Sequence, residues 1–306
     1  MTTVSNHKGW SSPSVGVFVP NVVTFQNKLE PGMYDVGHDQ RLGIFLKRTA
    51  LAEQSIFQLP NTLTTAVVSD IKNFWARKDL FRKYNFPYKR GILLQGPPGC
   101  GKSSTISLVC QEVTNLGGLV IKFNASHLFI GGMKLLKQVQ PDVPVVALME
   151  DLDEILRDNN ISDILNLLDG VEKTIDNVVY LATTNNPERL HQNIKNRPSR
   201  FDRRFEFKEP GLEARKYYLA YLFQTGLTDG PAPGAELVAL NERGDNDLDR
   251  WAADTEGFSF AHLKELFVSV VLFGNKYEEV ISELGVMRKD LTEEEDIDED
   301  DDDDDL

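Results

Sequence analysis

Apolar residues along this 306-residue chain change rhythm twice. Up to about residue 61 they come in brief runs, "VGVFVP", "RLGIFL" and "QSIF", punctuated by "PN", "PGM" and "LPN", which predicts small strands and turns. After Ser69 the spacing turns helical. Ile71, Phe74 and Trp75 follow a candidate cap at Asp70, and "FPY" then breaks the helix ahead of the short buried strand "RGILLQG". Three further apolar runs, Leu119 to Ala125, Val143 to Glu150 and Asn177 to Asn185, are too brief for helices. They alternate with helical patterns at Ile106, Val109, Cys110 and Val113, and at Ile161, Ile164, Leu165 and Leu168. Strands alternating with helices predict a parallel α/β sheet. Beyond "RRFEFKEPG" the strand signals stop, and "EARKYYLAYLF", "DLDRWAA", "FAHLKELFVSVVLFG" and "YEEVISELGVM" predict a small all-α domain reaching about Lys289.

Charge changes this picture only at the C-terminal end. Between Glu293 and Asp305 there are 12 acids and no base, and removing them from the net charge of −14 leaves about −2 for the body. A run that repels itself and has almost nothing to bury is expected to be a disordered tail, either a solubilising appendage or a docking segment for a basic partner. The nearly neutral body and acidic tail argue against a nucleic-acid partner, which calls for a basic stripe. No apolar run reaches the ~18 residues of a membrane helix, and the first residues do not read as a secretory leader. Cys100 and Cys110 are the only cysteines, too few for a disulfide framework or a four-ligand metal site. A soluble protein of a reducing, cytoplasmic compartment is the expectation.

The strongest chemical signal is "GPPGCGKSS": Gly96, Pro97, Pro98, Gly99, Cys100, Gly101, Lys102, Ser103 and Ser104. It matches GxxxxGK[ST] in full and lies between an expected strand and an expected helix. Glycines let backbone amides curl around a polyphosphate, Lys102 would meet its β and γ phosphates, and the Ser103 hydroxyl would ligate Mg²⁺. Cys100 is expected to be a small loop residue rather than a nucleophile. Hydrolysis further needs acids at the end of a neighbouring strand, and "VPVVALMEDLDE" supplies Glu150, Asp151, Asp153 and Glu154 after an apolar run. An exposed acidic turn is the bland alternative.

Four motifs in order, "GPPGCGKS", "PVVALMEDLDE", "LATTNNPERL" and "RPSRFDRRFEF", resemble the AAA family of ATPases over roughly Ser69 to Lys289. The lead-in "DIKNF" to "YNFPYKRG" and the Glu-Asp order are most similar to the clade of the mitochondrial AAA ATPase that translocates the Rieske iron-sulfur protein. The resemblance implies a P-loop NTPase fold, a parallel five-stranded sheet flanked by helices and followed by the helical lid. The expected organisation is an N-terminal adaptor segment (1–61), a nucleotide-binding α/β domain (62–210), the lid (211–289) and the acidic tail (290–306).

The resemblance also implies ATP and Mg²⁺ as cofactors and assigns roles. Glu150 takes the metal side with Ser103, and Asp151 activates water. Asn185 lies between the γ-phosphate and that water, with Thr184 beside it; a strand-end cap is the alternative. Arg197 and Arg200 match paired arginine fingers offered to a neighbour's nucleotide, unless they are a plain surface pair. Phe129 and Ile130, followed by Gly131, fall where the family carries a pore loop that grips a client, with a core phenylalanine as the alternative. "GFSFAHLKEL" from Gly257, with Ala261, matches the start of a lid helix. The function implied is a ring ATPase of six or seven copies that remodels or translocates a protein client. A nucleotide-dependent scaffold with little turnover and a DNA-directed loader or helicase are the alternatives. The Rieske clade's membrane helix, substrate and mitochondrial site are not carried over.

Overall fold

The computed structural model describes residues 4–14, 17–50, 63–170, 175–190, 192–195, 197, 199–225 and 248–300. The expected "QSIF" strand and the last six residues of the acidic tail lie outside them. Nine strands are described: β1 (Val4–Ser14), β2 (Val17–Gln26), β3 (Gly32–Asp39), β4 (Gly43–Thr49), β5 (Lys89–Gln95), β6 (Leu119–Lys122), β7 (Val145–Met149), β8 (Val178–Thr184) and β9 (Arg203–Glu206). Among the helices are α1 (Leu63–Trp75), α2 (Lys78–Lys83), α3 (Lys102–Asn115), α4 (Ser126–Val139), α5 (Leu152–Asp158), α6 (Ile161–Asp169) and α7 (Gln192–Lys195). The series continues with α8 (Leu212–Thr225), α9 (Leu248–Asp254), α10 (Phe260–Phe267) and α11 (Tyr277–Asp300). No helix among the described residues is long and apolar enough to cross a membrane.

The chain divides into two compact units, the first including Leu63–Gln95 and Thr105–Phe205, the second including Gly96–Ser104 and Glu206 onward. In the first, strands run in the order β4-β3-β6-β7-β8-β5-β9. β3, β6, β7, β8 and β5 pair in parallel, while β4 returns antiparallel to β3. The sheet thus has two strands more than the five expected, because β3 and β4 of the N-terminal segment extend it at one edge. β1 and β2 form a separate antiparallel hairpin.

β7 and β8 are buried along their entire length, the mark of parallel strands covered on both faces. Ile106, Val109, Cys110 and Val113 are all buried on α3. Helix α1 begins at Leu63, eight residues before the expected first helical position at Ile71, so that Val67, Ile71 and Phe74 share its buried face. Asp70 is therefore no cap. It lies inside the helix and pairs with Arg90 at 3.3 Å. In the second unit Leu219, Trp251, Leu263 and Leu284 belong to one core gathered from α8, α9, α10 and α11.

Backbone helix continues in α11 to Asp300, into the segment expected to be a disordered tail. Val280 and Leu284 anchor the helix in the core, and extending an existing helix avoids the cost of a new nucleus.

Lys137 is a buried cation of the first unit. It is 7% exposed and donates to the carbonyls of Val143 (2.9 Å) and Asn177 (3.4 Å). Burial is the main cause that lowers its pKa to about 8; Asp176 and Asp142 oppose the shift and Lys78 adds to it. The unfolded chain then holds this proton more tightly than the fold does, so stability should rise with pH between about 8 and 10.5. Lys137→Met should remove that rise, worth up to ~3 kcal/mol, as read from urea denaturation of both proteins across that range.

Candidate functional site

The first unit brings its polar groups to one edge of the sheet. Strand register puts Met149 opposite Ala182 and Thr184 opposite Gln95, so β7, β8 and β5 end near one another, and polar residues follow β7 and β8. Glu150 and Asp151 follow β7, and Asn185 follows β8. The Asn185 amide donates to Asp151 Oδ1 at 3.4 Å. Thr184 donates its hydroxyl to Asp153 at 3.0 Å and accepts the Asn186 N–H at 3.2 Å. On the other flank of β7, Lys122 at the end of β6 stands 3.5 Å from Glu150 Oε2.

Two contributors here escaped the sequence reading. Thr183, buried in β8, accepts the backbone N–H of Asp151 on its hydroxyl at 3.1 Å. Lys122 is the cation beside Glu150. A period-2 pattern marks Thr183 as a strand residue but is silent on which hydroxyl meets a neighbouring strand's end, and nothing in sequence spacing links Lys122 to Glu150.

The structure separates the two candidate arginines. Arg200 is 4% exposed and directs Nε and Nη2 onto both oxygens of Asp169, at 3.0 and 2.9 Å, while Nη1 meets the carbonyl of Asn193. This fork-to-fork pair is the main cause that holds the Asp169 carboxyl below its usual range. Arg200, which the sequence matched to a finger for a neighbour's nucleotide, here directs its guanidinium at Asp169 and Asn193 of its own chain. Arg197 touches the same acid at 3.2 Å from a side chain that is 61% exposed.

The pore-loop candidates lie in α4. Phe129 has 0% exposure, within α4, and its ring packs against Phe123 at 5.1 Å between centroids. Ile130 is half-buried against the same core. Gly131 and Gly132 seat the helix against the β3–β4 hairpin, for a Cβ would lie 2.5 Å from Ile44 and 2.7 Å from Val36.

The second unit holds the phosphate-type loop. Gly96 and Gly99 both adopt positive φ (136° and 75°), and added methyl groups would strike the Phe207 carbonyl at 1.9 Å and the Ser259 hydroxyl at 2.6 Å. These two glycines are therefore required by both conformation and space. Lys102, 7% exposed, curls back so that its ammonium donates to the carbonyls of Gly96 and Pro97. Burial of the Cys100 side chain is the leading cause that pushes its thiol up to about 11, which keeps it protonated and poorly nucleophilic at neutral pH. Ser259 caps α10 in a reciprocal box with His262, and Ala261 lies in that helix's first turn.

Residues 92–209 match the family described as "ATPase family associated with various cellular activities (AAA)". The mitochondrial chaperone BCS1 of Bos taurus is 32% identical over 182 residues, covering 54% of this chain and 42% of that protein. The proteasome-activating nucleotidase of Aeropyrum pernix is 29% identical over 261 residues, 78% of this chain and 58% of its own. An ATP-dependent zinc metalloprotease FtsH of Marinobacter nauticus is 27% identical over 217 residues, 65% of this chain and 32% of its own. The chain thus spans well under two thirds of the length of each of these relatives. The family match, the parallel sheet and the kinship with BCS1 together identify the chain as bearing an AAA ATPase domain over residues 92–209, related to the BCS1 clade.

Proposed function

We propose that this protein binds ATP with Mg²⁺ and hydrolyses it in a ring of like subunits, using the cycle to remodel a protein client. The observation that carries the reading is the pairing of Asp151 with Asn185 at the end of a buried parallel strand, in a chain that also holds a complete GxxxxGK[ST] loop. In this reading the amides of Gly96 to Ser104 cradle the phosphates, and Lys102 leaves its two carbonyl partners for the β and γ oxygens. Ser103 and Glu150 would be the protein's oxygen donors to Mg²⁺. Such hard donors suit the ion, which keeps several waters and is shared with substrate phosphates, so one or two protein ligands suffice. Mg²⁺ supplies charge neutralisation at the phosphates. Asp151 accepts a proton or hydrogen bond from the attacking water, and Asn185 holds that carboxylate in place.

Arg197 is the candidate finger. A single chain has no neighbouring nucleotide to offer it to, so its use requires a second copy, and a finger supplied in this way can be worth ~10³-fold or more in rate. The burial of Phe129 takes away the support for threading a client by aromatic grip, which favours remodelling over pulling.

Specific ATPase activity should therefore rise with protein concentration. Asp151→Asn should cut turnover by at least ~100-fold while the dissociation constant of a fluorescent ATP analogue stays within about twofold of wild type. Flat, near-zero wild-type activity with tight ATP binding would instead mean a nucleotide-dependent switch. The two arginines should diverge in a paired experiment. Arg197→Ala should lose turnover without a change in melting temperature, whereas Arg200→Ala should destabilise the fold by ~3 kcal/mol, because Asp169 loses its fully buried partner. Equal melting temperatures for the two variants would count against this division of labour.

A further inference from the structure

Two acids in succession at the end of a strand would ordinarily point to opposite faces of the sheet. Here the chain leaves the strand conformation between them. Asp151 has φ 51° and ψ 63°, in the left-handed region. Among the described residues only Asn85, Asp151 and Asn177 combine a side chain with positive φ, and all three belong to the short polar types that tolerate it. Glutamate is not one of these types.

The turn is held from both sides. The Asp151 N–H is bound by the buried Thr183 hydroxyl at 3.1 Å, and the Asp151 carbonyl accepts the N–H groups of Glu154 and Ile155 at 3.0 and 3.1 Å, which starts α5. The two carboxylates consequently part company across β7. Glu150 reaches toward Lys122 on the β6 flank, and Asp151 toward Asn185 on the β8 flank. β8 is also the strand that pairs with β5, whose last residue directly precedes the GxxxxGK[ST] loop in sequence.

We infer that the Glu-Asp order is imposed by this left-handed turn, and that Thr183 is a positioning residue which holds the turn and so aims the Asp151 carboxylate. The longer acid stands directly after the last residue of β7, and the shorter one stands where the backbone admits aspartate or asparagine but penalises glutamate. The reverse order is therefore not interchangeable with the one present. The catalytic part of this inference rests on the proposed hydrolysis; the backbone part does not.

The test combines thermal melts, ATP turnover and binding of a fluorescent ATP analogue on the full chain. Asp151→Asn fits the turn and should melt with wild type while losing turnover. Asp151→Glu keeps the carboxylate but should melt several degrees lower and turn over at least about tenfold more slowly. The exchange Glu150→Asp with Asp151→Glu should do no better. Thr183→Val should lower kcat with the analogue's affinity unchanged, and Thr183→Ser, which restores the hydroxyl, should recover most of the loss. An exchange variant with wild-type melting temperature and turnover overturns the inference, as does a Thr183→Val protein with unaltered kcat. If the wild-type protein does not hydrolyse ATP at all, the proposed function fails. The melting temperatures of Asp151→Glu and Asp151→Asn still decide whether the turn dictates the residue.

Discussion

The register between β7 and β8 is the constraint on which the first unit's polar edge depends. Both strands are buried on both faces, so neither can slide by one residue without driving apolar side chains out of the interior and polar ones into it. Because the strands are parallel, their polar continuations emerge at the same edge. Asp151 and Asn185, separated by 34 positions in the chain, meet there with no loop needed to fold back and deliver them. Apolar packing thus sets the positions of groups that are themselves nearly all polar.

Asp169 plays a comparable organising role at the C-terminal end of α6. It binds the buried Arg200 through two hydrogen bonds and the exposed Arg197 through one. One acid therefore gives two neighbouring arginines different characters. Arg200 is fixed by burial, bidentate geometry and a third bond to Asn193. Arg197 meets Asp169 from an exposed side chain, a kind of contact that usually contributes no more than ~1 kcal/mol.

Much of the α/β framework was legible because buried strands and amphipathic helices leave distinct periods in a sequence. The expected strand Val143 to Glu150 is found as β7, Val145–Met149, one residue shorter at the acidic end. Other features were hidden for physical reasons. Pairing of Tyr34 with Ile121 joins segments nearly ninety positions apart, and local alternation in β3 says nothing about its partner. The start of α1 was obscured by "LTTAVV", where β-branched residues weaken the helical signal although tertiary burial of Val67 overrides it. At the candidate site, the phosphate-type loop and the acids stand out as letters, but the φ of Asp151 and the hydroxyl that holds it do not. "FIGG" had two readings, and the contact of Gly132 with Val36, which comes from the far N-terminal segment, favours the buried one.

The shared acid has a consequence for how readily subunits could associate and part. When Arg197 swings away from Asp169, no orphaned buried charge is left behind, since Arg200 continues to neutralise both carboxylate oxygens. The electrostatic reorganisation needed to lend Arg197 to another molecule is therefore small in both directions. In the proposed ring, a guanidinium held in this way would engage and release a neighbouring copy at small cost, without disturbing the core that keeps it in reach.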